Sequence, residues 1–128
     1  MNGQRGSVTV IVAALVLLVL VLSLGVADLG HVLVARSHAR TAADAAALAV
    51  AQELVLPTDR NLVDLATEYA TRNGAVVQTC ICAAGTLETT VTVTVGVDGL
   101  LLIPGSHTVL ASARAVVDLP SPSPTPSP

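Results

Sequence analysis

Aromatic side chains are almost missing from this 128-residue chain: it has no Phe and no Trp, and Tyr69 stands alone. Any core must therefore be built from Val, Leu, Ile and Ala, without the large buried areas that rings supply. Lys is absent, and the six Arg residues, at 5, 36, 40, 60, 72 and 114, are scattered. No basic patch can form to neutralise phosphates, so nucleic acid is not an expected partner. The net charge of −3 is mild. Cys occurs only as Cys80 and Cys82, which is neither the Cys-x-x-Cys spacing nor the helix N-terminal setting that lowers a thiol pKa, so redox catalysis is not expected. Proline is absent before Pro57 and charge is absent from Val8 to Ala27. Nothing in the first 56 residues forces a helix to break.

What is present begins with that uncharged run of 20 residues. At about 1.5 Å per helical residue it covers about 30 Å, the thickness of a hydrocarbon core. Val10, Ile11, Leu15, Val16, Leu17, Leu18, Leu20 and Leu22 each favour insertion by about 0.3 to 0.6 kcal/mol, against about 3 kcal/mol for one central charge. The rival reading is a cleavable export signal, because Gly25-Val26-Ala27 places small residues where a signal peptidase reads and Arg5 is a thin positive leader. Release after Ala27 would give a small secreted binding protein. Arg36 and Arg40 follow the run closely and Arg5 precedes it, so the positive-inside count is nearly balanced. The short leader and the Ser/Thr/Pro tail place the N-terminus in the cytoplasm and the C-terminal part outside.

The expected organisation is a leader (1–7), a transmembrane helix (8–27), a helical stalk (28–56), a small extracytoplasmic α/β domain (57–118) and a disordered Pro/Ser tail (119–128). In the stalk, Ala35, Ala39, Ala42, Ala46 and Ala49 recur at spacings of three and four. Such a stripe lets a second helix, or a sheet, approach closely while yielding little hydrophobic energy per contact. Pro57 ends the helix. Thr58 or Asp59 can cap a second one, Arg60 to Asn73, whose apolar face is Leu62, Leu65, Ala66, Tyr69 and Ala70. Asn73-Gly74 closes it. Val76–Cys82, Glu88–Val97 and His107–Val117 are β-rich, and Thr90 to Val95 alternates strictly between polar and apolar. The fold class is α+β: a long N-terminal helix, a short second helix and a three-stranded antiparallel sheet with one face on the helices.

Arg5-Gly6-Ser7, then Asp28-Leu29-Gly30, Arg36 and the run Ala42-Ala43-Asp44-Ala45-Ala46-Ala47-Leu48-Ala49 resemble the TadE/TadG-like proteins of Flp, or tight-adherence, pilus systems, in particular the short actinobacterial kind associated with secretion genes. The resemblance covers about the first 52 residues. It implies a pilin-like architecture, a structural rather than enzymatic role in pilus or secretion-system assembly, and no cofactor. The implied partners are the lipid bilayer, other pilin-like or secretion-system subunits, and a second copy of the chain. No small-molecule substrate is implied. It also implies a place for prepilin-type cleavage between Gly6 and Ser7, although Ile11 stands where the family's Glu would follow the cut.

Two clusters carry some chemistry of their own. Asp28, His31 and His38 fall near one helical face at the end of the apolar run, yet they lack the further ligand a zinc site needs. The expected reading is a solvated polar face, with Asp28 an anchor at the membrane exit. Cys80 and Cys82 lie on one strand face with Cα atoms about 6.5 Å apart, near the upper limit for a bridge. They can bridge each other across a bend, bridge to a partner, or remain buried small apolar side chains. Ser106-His107 is a turn before a strand rather than a catalytic pair.

Overall fold

The computed structural model describes residues 5–118, so the outer part of the leader and the whole Pro/Ser tail lie outside the described residues. A single α-helix, α1, runs unbroken from Arg5 to Val55. Its first twenty-odd residues are exposed on every side and are long and apolar enough to cross a membrane. The Ser23 hydroxyl donates to the Val19 carbonyl at 2.8 Å, so this hydroxyl within the apolar run is satisfied inside the helix.

Pro57 stops α1 as expected, but the start of the next helix differs. The Glu53 carboxylate accepts from the Thr58 hydroxyl and backbone N–H and from the Arg60 N–H, which commits Thr58 to closing the first helix. Asp59 sits at φ 62°, a left-handed conformation that an N-cap does not use. The cap is Asn61, whose Oδ1 accepts from Val63 N at 2.9 Å and Asp64 N at 3.2 Å. Helix α2 is accordingly Leu62–Arg72. Gly74, at φ 71°, reverses the chain after it, and Ala75 N returns to the Ala70 carbonyl at 3.0 Å.

Strands β1 (Val76–Cys82), β2 (Glu88–Val97) and β3 (His107–Val116) form an antiparallel meander in the order β1-β2-β3. The strict alternation in β2 sends Thr89, Val91, Val93 and Val97 inward and leaves Thr90, Thr92 and Thr94 on the outer face. Across from them, Ala111, Ala113 and Ala115 of β3 supply small inward residues. Strand β1 carries an extra residue at Gln78, because Val77 pairs with Val93 while Thr79 pairs with Thr92. This bulge switches the parity of the strand. Val77, Cys80 and Cys82 thus all meet the core although their numbers differ in parity.

The core joins α1 (Ala42, Ala43, Ala46, Ala47, Val50), α2 (Ala66, Ala70) and the sheet (Val91, Val93, Ala113). Alanine on both sides of the helix–sheet contact makes the layers close and leaves little apolar area to bury per residue, so stability depends on fit more than on bulk.

Candidate functional site

Gly6 and Ser7 lie in the exposed first turn of α1, and a Cβ added to Gly6 would meet nothing within 4 Å. Ile11, one turn on, is 56% exposed. The start of the helix is therefore presented without cover from the rest of the described chain.

The alanine stripe is covered from within. Ala39, Ala42 and Ala46 have no exposed surface, and Ala35 and Ala49 retain 8% and 5%. The sheet and α2 occupy the face that the stripe offers to a neighbouring helix. The apolar side chains of the stalk that remain open are others: Leu29, Leu33 and Val34 are each more than half exposed. Val26, Leu29 and Leu33 follow one another at spacings of three and four, so they continue the apolar surface of the uncharged run along one side of α1.

Asp28 is the side chain whose role the sequence disguises. It is only 7% exposed, and its two carboxylate oxygens accept the backbone N–H groups of Leu101 and Leu102, each at 2.8 Å. Residues far apart in the chain are thus tied at the end of the apolar run. Those two amides, Leu101 first, hold the Asp28 carboxyl below the ordinary range, with a smaller contribution from His31. The carboxylate is spent on the β2–β3 loop rather than offered to solvent or to a metal ion. Because its folded pKa is depressed, the tie is fully formed above the usual carboxyl value of about 3.9 and is lost as pH falls through the lower folded value. Amide exchange at Leu101 and Leu102, corrected for its intrinsic acid dependence, should show protection throughout the neutral range and its loss only in that acid window. Protection independent of pH down to full carboxyl protonation would show that the amides do not depend on the charge.

His31 and His38 line a cleft of about 280 Å³ between α1 and β2, together with Val34, Ala35 and the segment Val95 to Asp98. Among the described residues no three His, Cys, Asp or Glu side chains come close enough to hold a metal ion. A second cleft of similar size, lined by Leu48, Ala51, Val55, Leu56, Val116 and Val117, lies at the far end of α1. Cys80 and Cys82 are joined, with Cα atoms 5.3 Å apart, and the Thr89 hydroxyl donates to Cys82 Sγ at 3.2 Å. The pair sits on the core side of β1, a position of structural cross-linking rather than of exposed thiol chemistry.

The sequence reading overlooked the partner of Asp28. Leu100-Leu101-Leu102-Ile103 is four consecutive large apolar residues inside a turn, between Gly99 and Pro104, and a run of that kind in a loop is itself a signal. No curated protein and no solved structure matches the chain. The family model for Tad, Flp pilus-assembly TadE/G-like, matches residues 6–53, which takes in nearly all of α1 and none of the sheet. Residues 6–53, the long helix of this chain, are thus similar to the TadE/G-like proteins of Flp pilus assembly.

Proposed function

We propose that the chain is a single-span envelope protein acting structurally in pilus or secretion-system assembly, with its N-terminus in the cytoplasm and the sheet and α2 outside. The observation that carries this reading is one uninterrupted helix in which the family match, the apolar span and the platform for the folded domain coincide. The role is mechanical: the helix holds the domain at a set height above the bilayer, and neighbours pack against it.

Lateral packing uses the exposed side of α1, Val26, Leu29 and Leu33, because the alanine stripe is already filled by the chain's own sheet. Small residues there would favour the closest approach, and larger ones give a looser, more easily exchanged contact. The continuity of α1 through Gly25, Val26 and Ala27, and the engagement of Asp28 by the folded domain, favour an anchored protein over one released after Ala27. A signal peptidase needs an extended site, which this helix would have to unwind to provide.

The test is the intact mass and N-terminal sequence of the protein from membranes and culture fluid of its native host, combined with counting of Flp-type filaments after deletion and complementation of the gene. A start at Met1 in membranes with filaments lost on deletion supports a permanent anchor in assembly. A start at Ser7 supports a processed subunit of the same system despite Ile11. A start at Asp28 in the fluid, or filaments undisturbed by deletion, overturns the reading.

A further inference from the structure

From Gly99 to Ser106 the β2–β3 loop carries no charge. Its side chains Leu101, Leu102 and Ile103 are 61%, 47% and 56% exposed. Exposed loops of folded domains are ordinarily polar, and a contiguous apolar tip rimmed by glycine and proline marks a surface that meets something apolar. Gly99 at φ 78° and Gly105 at φ 128° bound this tip, conformations that let the chain turn sharply on both sides of it.

The position of the tip identifies what it meets. A Cβ placed on Gly25 would lie 3.8 Å from Leu102 Cδ1, so Leu102 lies against α1 inside the uncharged run that ends at Ala27. The backbone N–H groups of Leu101 and Leu102 donate to Asp28, one residue past that run. If Val8 to Ala27 crosses the bilayer, the loop reaches the depth at which hydrocarbon begins. We propose that the β2–β3 loop is a second membrane contact: Leu101, Leu102 and Ile103 insert into the outer acyl-chain boundary beside the helix, and Asp28 holds the loop there. This rests on the single-span reading of α1.

The role of Asp28 follows from the same geometry. Backbone N–H groups that leave water without a partner are costly, and hydrocarbon offers none. The amides of Leu101 and Leu102 are the ones that Asp28 accepts, so these two inserting residues approach the lipid with their donors already satisfied. Asp28 itself remains at the interface, where a carboxylate can stay charged. The consequence is mechanical: a domain held by the helix alone could tilt about it, whereas a domain held by helix and loop presents the outer face of the sheet in a fixed direction relative to the membrane.

The chain has no Trp, which permits a direct depth measurement on the full-length protein reconstituted in phosphatidylcholine vesicles. Single replacements Leu102→Trp, Leu17→Trp and Leu110→Trp report the loop, the middle of the span and the exposed face of the sheet. With phospholipids brominated near the head of the acyl chain, Leu102→Trp should lose most of its fluorescence and emit at short wavelength. Leu17→Trp should be quenched most by bromines placed deeper, and Leu110→Trp should be unaffected. Combining Leu102→Trp with Asp28→Asn should reduce the quenching at the loop while leaving that at Leu17→Trp intact. Unquenched, water-like emission from Leu102→Trp beside a quenched Leu17→Trp overturns the loop contact and leaves the span standing. Blue-shifted but unquenched emission overturns it in favour of a protein neighbour covering the loop. Absence of quenching at both positions overturns the span reading and the loop contact with it.

Discussion

Replacing Ala46 with Leu should detach the sheet from the helix in an isolated, monomeric protein. Ala46 has no exposed surface and is packed among Ala42, Ala43, Val50, Val91 and Val93. Three added carbon atoms have no room between two layers held apart only by alanine and valine. Overpacking of this kind typically costs about 1 to 3 kcal/mol. A domain of about 60 residues with a single core commonly has only about 3 to 5 kcal/mol of stability, so the substitution removes a large share of it. The measurement is the urea midpoint of β2 and β3 amide protection in detergent, at a dilution where the chain is monomeric. Thr41→Leu, on the exposed side of α1, is the control and should stay within about 0.5 kcal/mol of the parent. The helical signal should persist in both variants, because the span does not depend on the sheet. If Ala46→Leu matched the parent as a monomer and failed only in assembly, the stripe would be an intersubunit surface.

The strands show how much of this fold a short stretch of sequence can specify. Thr90 to Val95 alternates so regularly that its two faces follow from side-chain period alone, and the observed strand has the limits, Glu88 to Val97, that the β-rich composition marks. The β1 strand was located equally well, but the inward orientation of Cys80 and Cys82 relative to Val77 depends on the bulge at Gln78, which depends on pairing with β2 and leaves no mark in local periodicity. The second helix illustrates competition for a capping residue. Thr58, Asp59 and Asn61 all suit an N-cap, and the choice of Asn61 is made by Glu53, which captures Thr58 from the preceding helix. The alanine stripe was legible as a packing surface, but its occupant was not, since alanine admits a helix and a sheet alike. Least legible was Asp28: a polar residue at the end of an apolar run has an obvious local explanation, and its partners are more than seventy residues away.

The span itself should tolerate one central charge and fail with two. Fourteen Leu, Ile and Val residues lie between Val8 and Ala27, and at about 0.3 to 0.6 kcal/mol each they favour insertion by about 4 to 8 kcal/mol, less what Thr9, Ser23 and Gly25 cost. Exchanging one central leucine for arginine removes its own contribution and adds about 3 kcal/mol, which leaves insertion weakened but favourable. Leu17→Arg combined with Leu18→Arg doubles that loss and brings the balance to zero or beyond, with both guanidinium groups at the middle of the run, away from the helix ends where long side chains reach the interface. The fraction of chain resisting alkaline extraction from membranes should therefore fall modestly for either single substitution and collapse for the pair. The α2 and sheet region carries neither position, so its urea midpoint in detergent should not move, which separates lost insertion from lost folding. Undiminished retention of the double variant would mean that contacts other than this helix hold the chain to the membrane. A parent protein that is itself extracted, with Asp28 as its first residue, would mean that the apolar run serves export and is then removed.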